Sequence, residues 1–156
     1  MGKSTALTKF KQENSDIVFS YYCFIPDQNT NFGELRHKAQ YFLKSMCIAI
    51  EKNFPDVDLP NRYSENYEEK LNLYIGKLGT SSKKIVFIID GLDHVHRNLA
   101  FEQDSLLNQI KGKLPSNIFI ILSSQYKRVL SNYVLNEISN NPLRYIKVPV
   151  FGQKEI

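Results

Sequence analysis

The chain has 156 residues, of which 42% are hydrophobic and 23% charged, with a net charge of +4 at pH 7. These values are typical of one soluble globular domain, or part of one. The basic residues are scattered, so charge alone does not favour a nucleic-acid partner. Cys23 and Cys47 lie far apart and in no ligand spacing, which argues against a zinc site and a disulfide framework. The longest apolar run, over 85–89, is too short to cross a bilayer, and we expect a cytoplasmic protein with two reduced, buried thiols.

The first half of the chain predicts one strand among three helices. Leu7 and Phe10 form a short apolar stripe at helical spacing, directly after Gly2-Lys3. The strand is rich in aromatic and β-branched residues and stops at Pro26-Asp27. The predicted elements are a helix over 4–14, a strand over 17–24, a helix over 35–54 closed by Pro55, and a helix over 67–78 capped by Gly79.

The second half contains two continuous apolar runs of strand length, over 85–89 and 118–122. Runs without alternation are typical of strands covered on both faces, as in parallel sheets. A helical pattern over 99–114 lies between these two strands, and a second one over 126–138 follows them. A last strand is predicted over 145–150. Since strands and helices alternate with connections long enough for crossovers, the sequence predicts an α/β fold with a mostly parallel sheet.

The segment Gly2-Lys3-Ser4-Thr5 matches the end of the phosphate-binding motif G-x-x-x-x-G-K-[ST]. In that motif successive backbone N–H groups surround phosphates, the lysine neutralises them and the Ser or Thr hydroxyl binds Mg²⁺. The glycine-rich first half of the motif is not present before Gly2.

Two acidic residues follow the 85–89 run, Asp90 directly and Asp93 one short turn later. Ligands of open α/β sheets bind at the carboxyl ends of the strands, where we expect Asp90 to lie. A carboxylate there can hold Mg²⁺ through water, and Asp93 could orient or deprotonate an attacking water. The alternative is that Asp90 merely ends a strand in an Asp-Gly turn.

The 118–122 run ends in Ser123-Ser124-Gln125, which would bring hydroxyl and amide groups beside the same site, unless this segment is a simple loop.

His94 and His96 share an i, i+2 spacing but have no third ligand at suitable spacing, so we interpret them as exposed loop histidines rather than a metal pair. Arg97 could meet a phosphate or pair with Asp93. The aromatic residues of the 17–24 strand are interpreted as sheet packing rather than a base-stacking platform.

Together, Gly2-Lys3-Ser4-Thr5, the strand ending in Asp90-Gly91-Leu92-Asp93 and the strand ending in Ser-Ser-Gln resemble the STAND class of P-loop NTPases, and within it the NACHT-like domains. The resemblance covers nearly the whole chain, 1–156. It implies ATP and Mg²⁺ as ligands. Lys3 would contact the β- and γ-phosphates, Ser4 (or Thr5) would bind Mg²⁺, Asp90 would be the Walker B acid and Asp93 the second acid. Gly2, Ser124 and Gln125 would complete the nucleotide site.

The chain departs from the family at three places. His94 stands where NACHT domains commonly have Glu after the second acid, and Gln125 stands where many have Arg. The third departure is truncation: the family's first, central strand precedes the glycine-rich loop and lies beside the strand over 118–122. We therefore expect a fragment that begins inside the loop, ends before the helical domains of STAND proteins and binds nucleotide weakly by itself.

The resemblance implies an ATP-dependent signalling switch in defence or regulation, with self-association of the full-length protein. One alternative is a non-catalytic remnant that binds a protein or nucleic-acid partner through its basic surface. Another is a different P-loop ATPase of the AAA type. We expect a nucleotide as the main partner, and neither a membrane nor a nucleic acid.

Overall fold

The computed structural model describes residues 2–24, 36–57, 65–99 and 114–147, the last four residues of the third range by their backbone only. The predicted helix over 99–114 falls almost entirely outside these residues. In chain order the elements are α1 (Lys3–Glu13), β1 (Val18–Tyr22), α2 (Ala39–Asn53), α3 (Tyr67–Gly79), β2 (Ile85–Asp90), α4 (Leu92–Leu99), β3 (Ile118–Leu122) and α5 (Asn132–Asn140).

The three strands form one parallel sheet in the order β1-β2-β3. Val18 lies opposite Val86, and Val86 lies opposite Phe119, so all three strands end together at one edge, the carboxyl edge. Helices flank this sheet, which confirms the predicted α/β class with parallel strands.

The two faces of the sheet are covered by different helices. Side chains of a strand alternate between its faces, so Phe19, Phe87 and Ile89 lie on one face and Val18, Val86 and Ile88 on the other. The first face packs against α2 and α3 and forms the main core, while Leu7 of α1 packs on the second face. The structure therefore has helix, sheet and helix layers.

Helices α2 and α3 pack through apolar stripes and are joined at their rim by a polar contact. The buried residues of α2 recur at helical spacing: Ala39, Phe42, Leu43, Met46, Cys47 and Ile50. Glu51 Oε1 accepts from Lys70 Nζ (2.6 Å) and from the Tyr74 hydroxyl (2.8 Å). Burial acts to raise the pKa of Glu51, but these hydrogen bonds outweigh it and lower the pKa below its ordinary value.

Strand β3 is an edge strand of the described sheet. Its apolar run is typical of a strand covered on both faces, yet Phe119 is 45% and Ile120 36% exposed. These two side chains point to opposite faces of the sheet, because they are consecutive in a strand. Among the described residues, each face of the sheet therefore has a partly exposed apolar side chain at β3.

Three local predictions were wrong. Residues 92–99 form a helix, so His94 and His96 are helical rather than loop residues. Gly91 turns the chain into this helix with φ 81°, and Asp93 occupies the first helical turn.

The helix predicted over 126–138 starts later, at Asn132, because Ser131 caps it by accepting from the Val134 N–H. A 3₁₀ turn precedes this helix. Residues 145–147 are not in a strand, and 148–150 lie outside the described residues.

Gly79 also has a different role from the one predicted. It is the last residue of α3 and has no left-handed backbone; Thr80 is the C-cap. A Cβ on Gly79 would lie 2.5 Å from Pro115 Cγ. Close approach of α3 to the segment before β3 therefore explains this glycine. None of the described helices is long and apolar enough to span a membrane.

Candidate functional site

The N-terminus of α1 opens at the carboxyl edge of the sheet. Gly2 enters the helix with φ 116°, a backbone conformation that favours glycine, and its carbonyl accepts from the Ala6 N–H (2.9 Å). The Lys3 ammonium donates to the carbonyl of Ser124, just beyond β3 (2.8 Å). Ser4 and Thr5 are exposed in the first turn, whose N–H groups have no partners within the helix.

Helix α1 runs back across the sheet from this edge. The Thr8 and Tyr22 hydroxyls lie 3.4 Å apart at the end of β1, and Lys11 Nζ donates to Ser20 Oγ one step further back (2.8 Å). The positive end of the helix dipole therefore lies at the carboxyl edge, where it favours an anion.

Asp90 lies at the end of β2, opposite Tyr22 of β1. Because side chains alternate along a strand, Asp90 lies on the same face as Val86 and Ile88, which is the face that α1 covers. The residue is 6% exposed. A carboxylate at the end of a strand and beside the N-terminus of α1 is suited to meet a cation such as Mg²⁺.

Asp93, in the first turn of α4, is 3% exposed and reaches the loop after β3. Its Oδ1 accepts from the backbone N–H of Gln125 (3.2 Å). The same loop is tied to β2 and α4, since the Ser123 N–H donates to the Ile89 carbonyl (2.9 Å) and the Leu92 N–H to the Ser123 carbonyl (3.1 Å). Asp93, Ser124 and Gln125 thus belong to one connected edge.

A stacked pair of rings borders this edge. Phe24, 49% exposed, stacks on His94 with ring centroids 4.3 Å apart and an interplanar angle of 8°. The His94 Nε2 atom lies 3.8 Å from Asp93 Oδ2. No sequence pattern indicated this pair, because the two residues are 70 positions apart and His94 was interpreted as a loop residue.

Cys23 also lies at this edge, and its N–H donates to the Asp90 carbonyl (2.9 Å). The pKa of the Cys23 thiol is raised to about 12: burial is the largest cause, the Arg36 guanidinium acts to lower it, and the carboxylates of Asp90 and Asp93 act to raise it. Cys23 and Cys47 are both free and buried, as predicted.

Among the described residues no three His, Cys, Asp or Glu side chains are grouped to hold a metal ion. Mg²⁺ usually needs no such cage, since one or two protein ligands, waters and substrate phosphates complete its octahedron. The Asp90 carboxylate and the Ser4 hydroxyl fit that donor set by their chemistry.

The predicted site residues thus lie at one edge, but two of them make contacts that the sequence did not predict. Ser124 and Gln125 contact Lys3 and Asp93 through their shared backbone rather than through the hydroxyl and amide expected from sequence. No family model, curated protein or solved structure matches the chain. The resemblance to STAND NTPases accordingly stays a resemblance.

Proposed function

We propose that this chain is the nucleotide-binding part of a P-loop ATPase and that it binds ATP with Mg²⁺ at the carboxyl edge of its sheet. One observation carries the proposal: Lys3 at the start of α1 and the buried Asp90 at the end of β2 share one edge and one face of a parallel sheet. In this arrangement the Lys3 ammonium is suited to bind the phosphates of a Mg²⁺-nucleotide, and the Asp90 carboxylate is suited to bind its metal ion.

Each group has a distinct role in this proposal. The first-turn N–H groups of α1 and the Lys3 ammonium bind the β- and γ-phosphates. Asp90 and the Ser4 hydroxyl, or that of Thr5, hold Mg²⁺, which would neutralise charge that develops on the transferred phosphoryl group. Gly2 lets the backbone approach the phosphates without a Cβ in the way.

The open edge of β3 supports the same proposal. The STAND resemblance implies a further central strand beside β3, leading through the glycine-rich loop into α1. Such a strand would cover Phe119 and Ile120, and its carboxyl end would reach the N-terminus of α1, which already contacts Ser124. It would also extend the phosphate-binding loop with the N–H donors that precede Gly2.

The resemblance further suggests that ATP binding and hydrolysis act as a signalling switch in the parent protein, through self-association in defence or regulation. This role would make the oligomeric state depend on the nucleotide. Sedimentation of the full-length protein with ATP, with ADP and without nucleotide tests it, and identical profiles would contradict it.

A second candidate is an interaction module without catalysis. The observation that favours it is the exposure of large apolar side chains on the described surface, above all Leu143 at 93% and Ile146 at 83%. Such residues are suited to a protein interface. This function predicts partner binding that does not respond to ATP, whereas the first predicts a nucleotide-dependent protein.

Phosphate release from ATP by the full-length protein tests the proposed site. Lys3→Ala and Asp90→Ala should each lower turnover by about a hundredfold or more, because each removes a charge that stabilises the transferred group. Lys9→Ala is the matched control, since Lys9 lies on the same helix and its side chain is 77% exposed. Unchanged turnover in either site variant would contradict the assignment.

A further inference from the structure

The peptide group between Ser124 and Gln125 joins the acidic and the basic part of the site. Its carbonyl oxygen accepts from Lys3 Nζ (2.8 Å), and its N–H donates to Asp93 Oδ1 (3.2 Å). Because a peptide group is planar, the two ends cannot turn independently. The carboxylate lies at the positive end of the peptide dipole and the ammonium at its negative end, so each charge polarises the group in favour of the other bond.

This peptide group is also held from both sides along the chain. On one side, Ser123 exchanges backbone hydrogen bonds with Ile89 and Leu92. On the other, Ser124 Oγ accepts from the Tyr126 N–H (3.2 Å) and donates to the Tyr126 carbonyl (3.1 Å). These bonds fix the course of the chain around the turn, and the Asp93 carboxylate fixes the direction in which the Ser124 carbonyl points.

We propose that Asp93 is a positioning residue: through the Ser124–Gln125 peptide it directs the Lys3 ammonium toward the carboxyl edge. An ammonium group has three N–H donors, so one bond to Ser124 leaves two for an incoming anion. Lys3 is thereby held before a phosphate arrives, and less side-chain freedom is lost on binding. This consequence for nucleotide affinity rests on the proposed function, whereas the Asp93-to-Lys3 link itself does not.

The proposal differs from a general-base role in what it requires of Asp93. A base needs a carboxylate that can take a proton, while positioning needs only an acceptor oxygen for the Gln125 N–H. Asp93→Asn keeps an acceptor of the same size, and Asp93→Ala removes it. The two variants therefore separate the two roles.

The first test measures amine acetylation of the nucleotide-free chain by a limiting amount of an N-hydroxysuccinimide ester, read by mass spectrometry. Lys3 should react several-fold more slowly than the exposed Lys9 in the wild type and in Asp93→Asn, but close to the Lys9 rate in Asp93→Ala. Lys11 is an internal control, since it donates to Ser20 at the same 2.8 Å on the same helix and does not contact Asp93. Its rate should be equal in all three proteins.

Several results would overturn the proposal: fast Lys3 labelling in the wild type, fast labelling in Asp93→Asn, or slow labelling in a folded Asp93→Ala. If Asp93→Ala labels Lys11 as fast as Lys9, that variant has unfolded, and Asp93→Asn decides alone.

The second test is the affinity for Mg²⁺-ATP, which Asp93→Ala should weaken by more than Asp93→Asn does. If the wild type binds no ATP, the proposed function fails while labelling still decides the link. If Lys3→Ala abolishes binding and Asp93→Ala leaves it unchanged, positioning fails while the proposed function stands.

Discussion

Cys23 directly follows β1, and Asp90 is the last residue of the neighbouring β2. Both are buried, and the Cys23 N–H contacts the Asp90 carbonyl. For the thiol, burial raises the pKa to about 12, so the reactive thiolate is suppressed at ordinary pH. Burial likewise raises the pKa of Cys47 to about 11.

We predict that neither cysteine is alkylated in the native protein at pH 8. A raised pKa keeps each thiol protonated, and the low exposure of 0% for Cys23 and 1% for Cys47 blocks the reagent. Iodoacetamide labelling followed by mass spectrometry checks this, with the urea-unfolded chain as the control that should react fully. Native labelling at the unfolded rate would show that the carboxyl edge around Cys23 is open.

Single residues were predicted from sequence where they belong to a short contiguous motif or end an apolar run. The positions of Lys3 at the start of α1 and of Asp90 at the end of β2 were predicted in this way, while their roles stay predictions. The Ser124–Gln125 peptide was not, because hydrogen bonding by a backbone group depends on the turn around it and leaves no mark on residue type. The Phe24–His94 stack was missed for a related reason, since the sequence does not give the distance between separate segments.

At the level of elements, α3 offers two glycines in opposite surroundings. A Cβ on Gly79 would collide with Pro115, whereas a Cβ on Gly76 would meet nothing within 4 Å. Both residues lie in the same helix, so they share the same backbone conformation and differ only in packing.

We predict that Gly79→Ala lowers the free energy of unfolding by about 1–3 kcal/mol, because α3 or Pro115 must move to make room. Gly76→Ala is the matched control and should raise it by about 0.5–1 kcal/mol, since alanine favours the helix at an open position. Urea unfolding of the three proteins measures both changes. A Gly79→Ala protein as stable as Gly76→Ala would show that the close approach to Pro115 is wrong.

Elements with long periodic patterns were predicted well, and those determined by local caps were not. The apolar stripes of α2 and α3 and the runs of β2 and β3 follow from burial. Helix α4 was missed because it is only eight residues long and starts from a glycine turn, and α5 was started too early because the cap at Ser131 was not recognised.

At the level of the whole molecule, β3 has the apolar sequence of a covered strand but lies at an edge of the described sheet. Proteins commonly protect edge strands with charge or proline, yet β3 reads Ile-Phe-Ile-Ile-Leu. Its position at the edge could not be predicted from its composition, because the same run fits a central strand. Within the described residues, β3 pairs with β2 on one side and with no strand on the other.

We predict that the 156-residue chain self-associates through β3 and that Phe119→Lys reduces this. A charge on the exposed strand opposes pairing with a second copy. The matched control is Ile48→Lys, since Ile48 is 51% exposed on α2, away from the sheet edge. Sedimentation velocity over a range of protein concentrations gives the measure. Equal effects of the two substitutions would show that association is not specific to β3.

Lys3 and Asp90 are proposed to form one Mg²⁺-nucleotide site, and calorimetric titration of Mg²⁺-ATP measures binding at that site. The titration is made on this chain and on its Lys3→Ala and Asp90→Ala variants. We expect weak binding by the chain and loss of that binding in both variants. No binding by the chain, or binding unaffected by Lys3→Ala, would contradict a shared site.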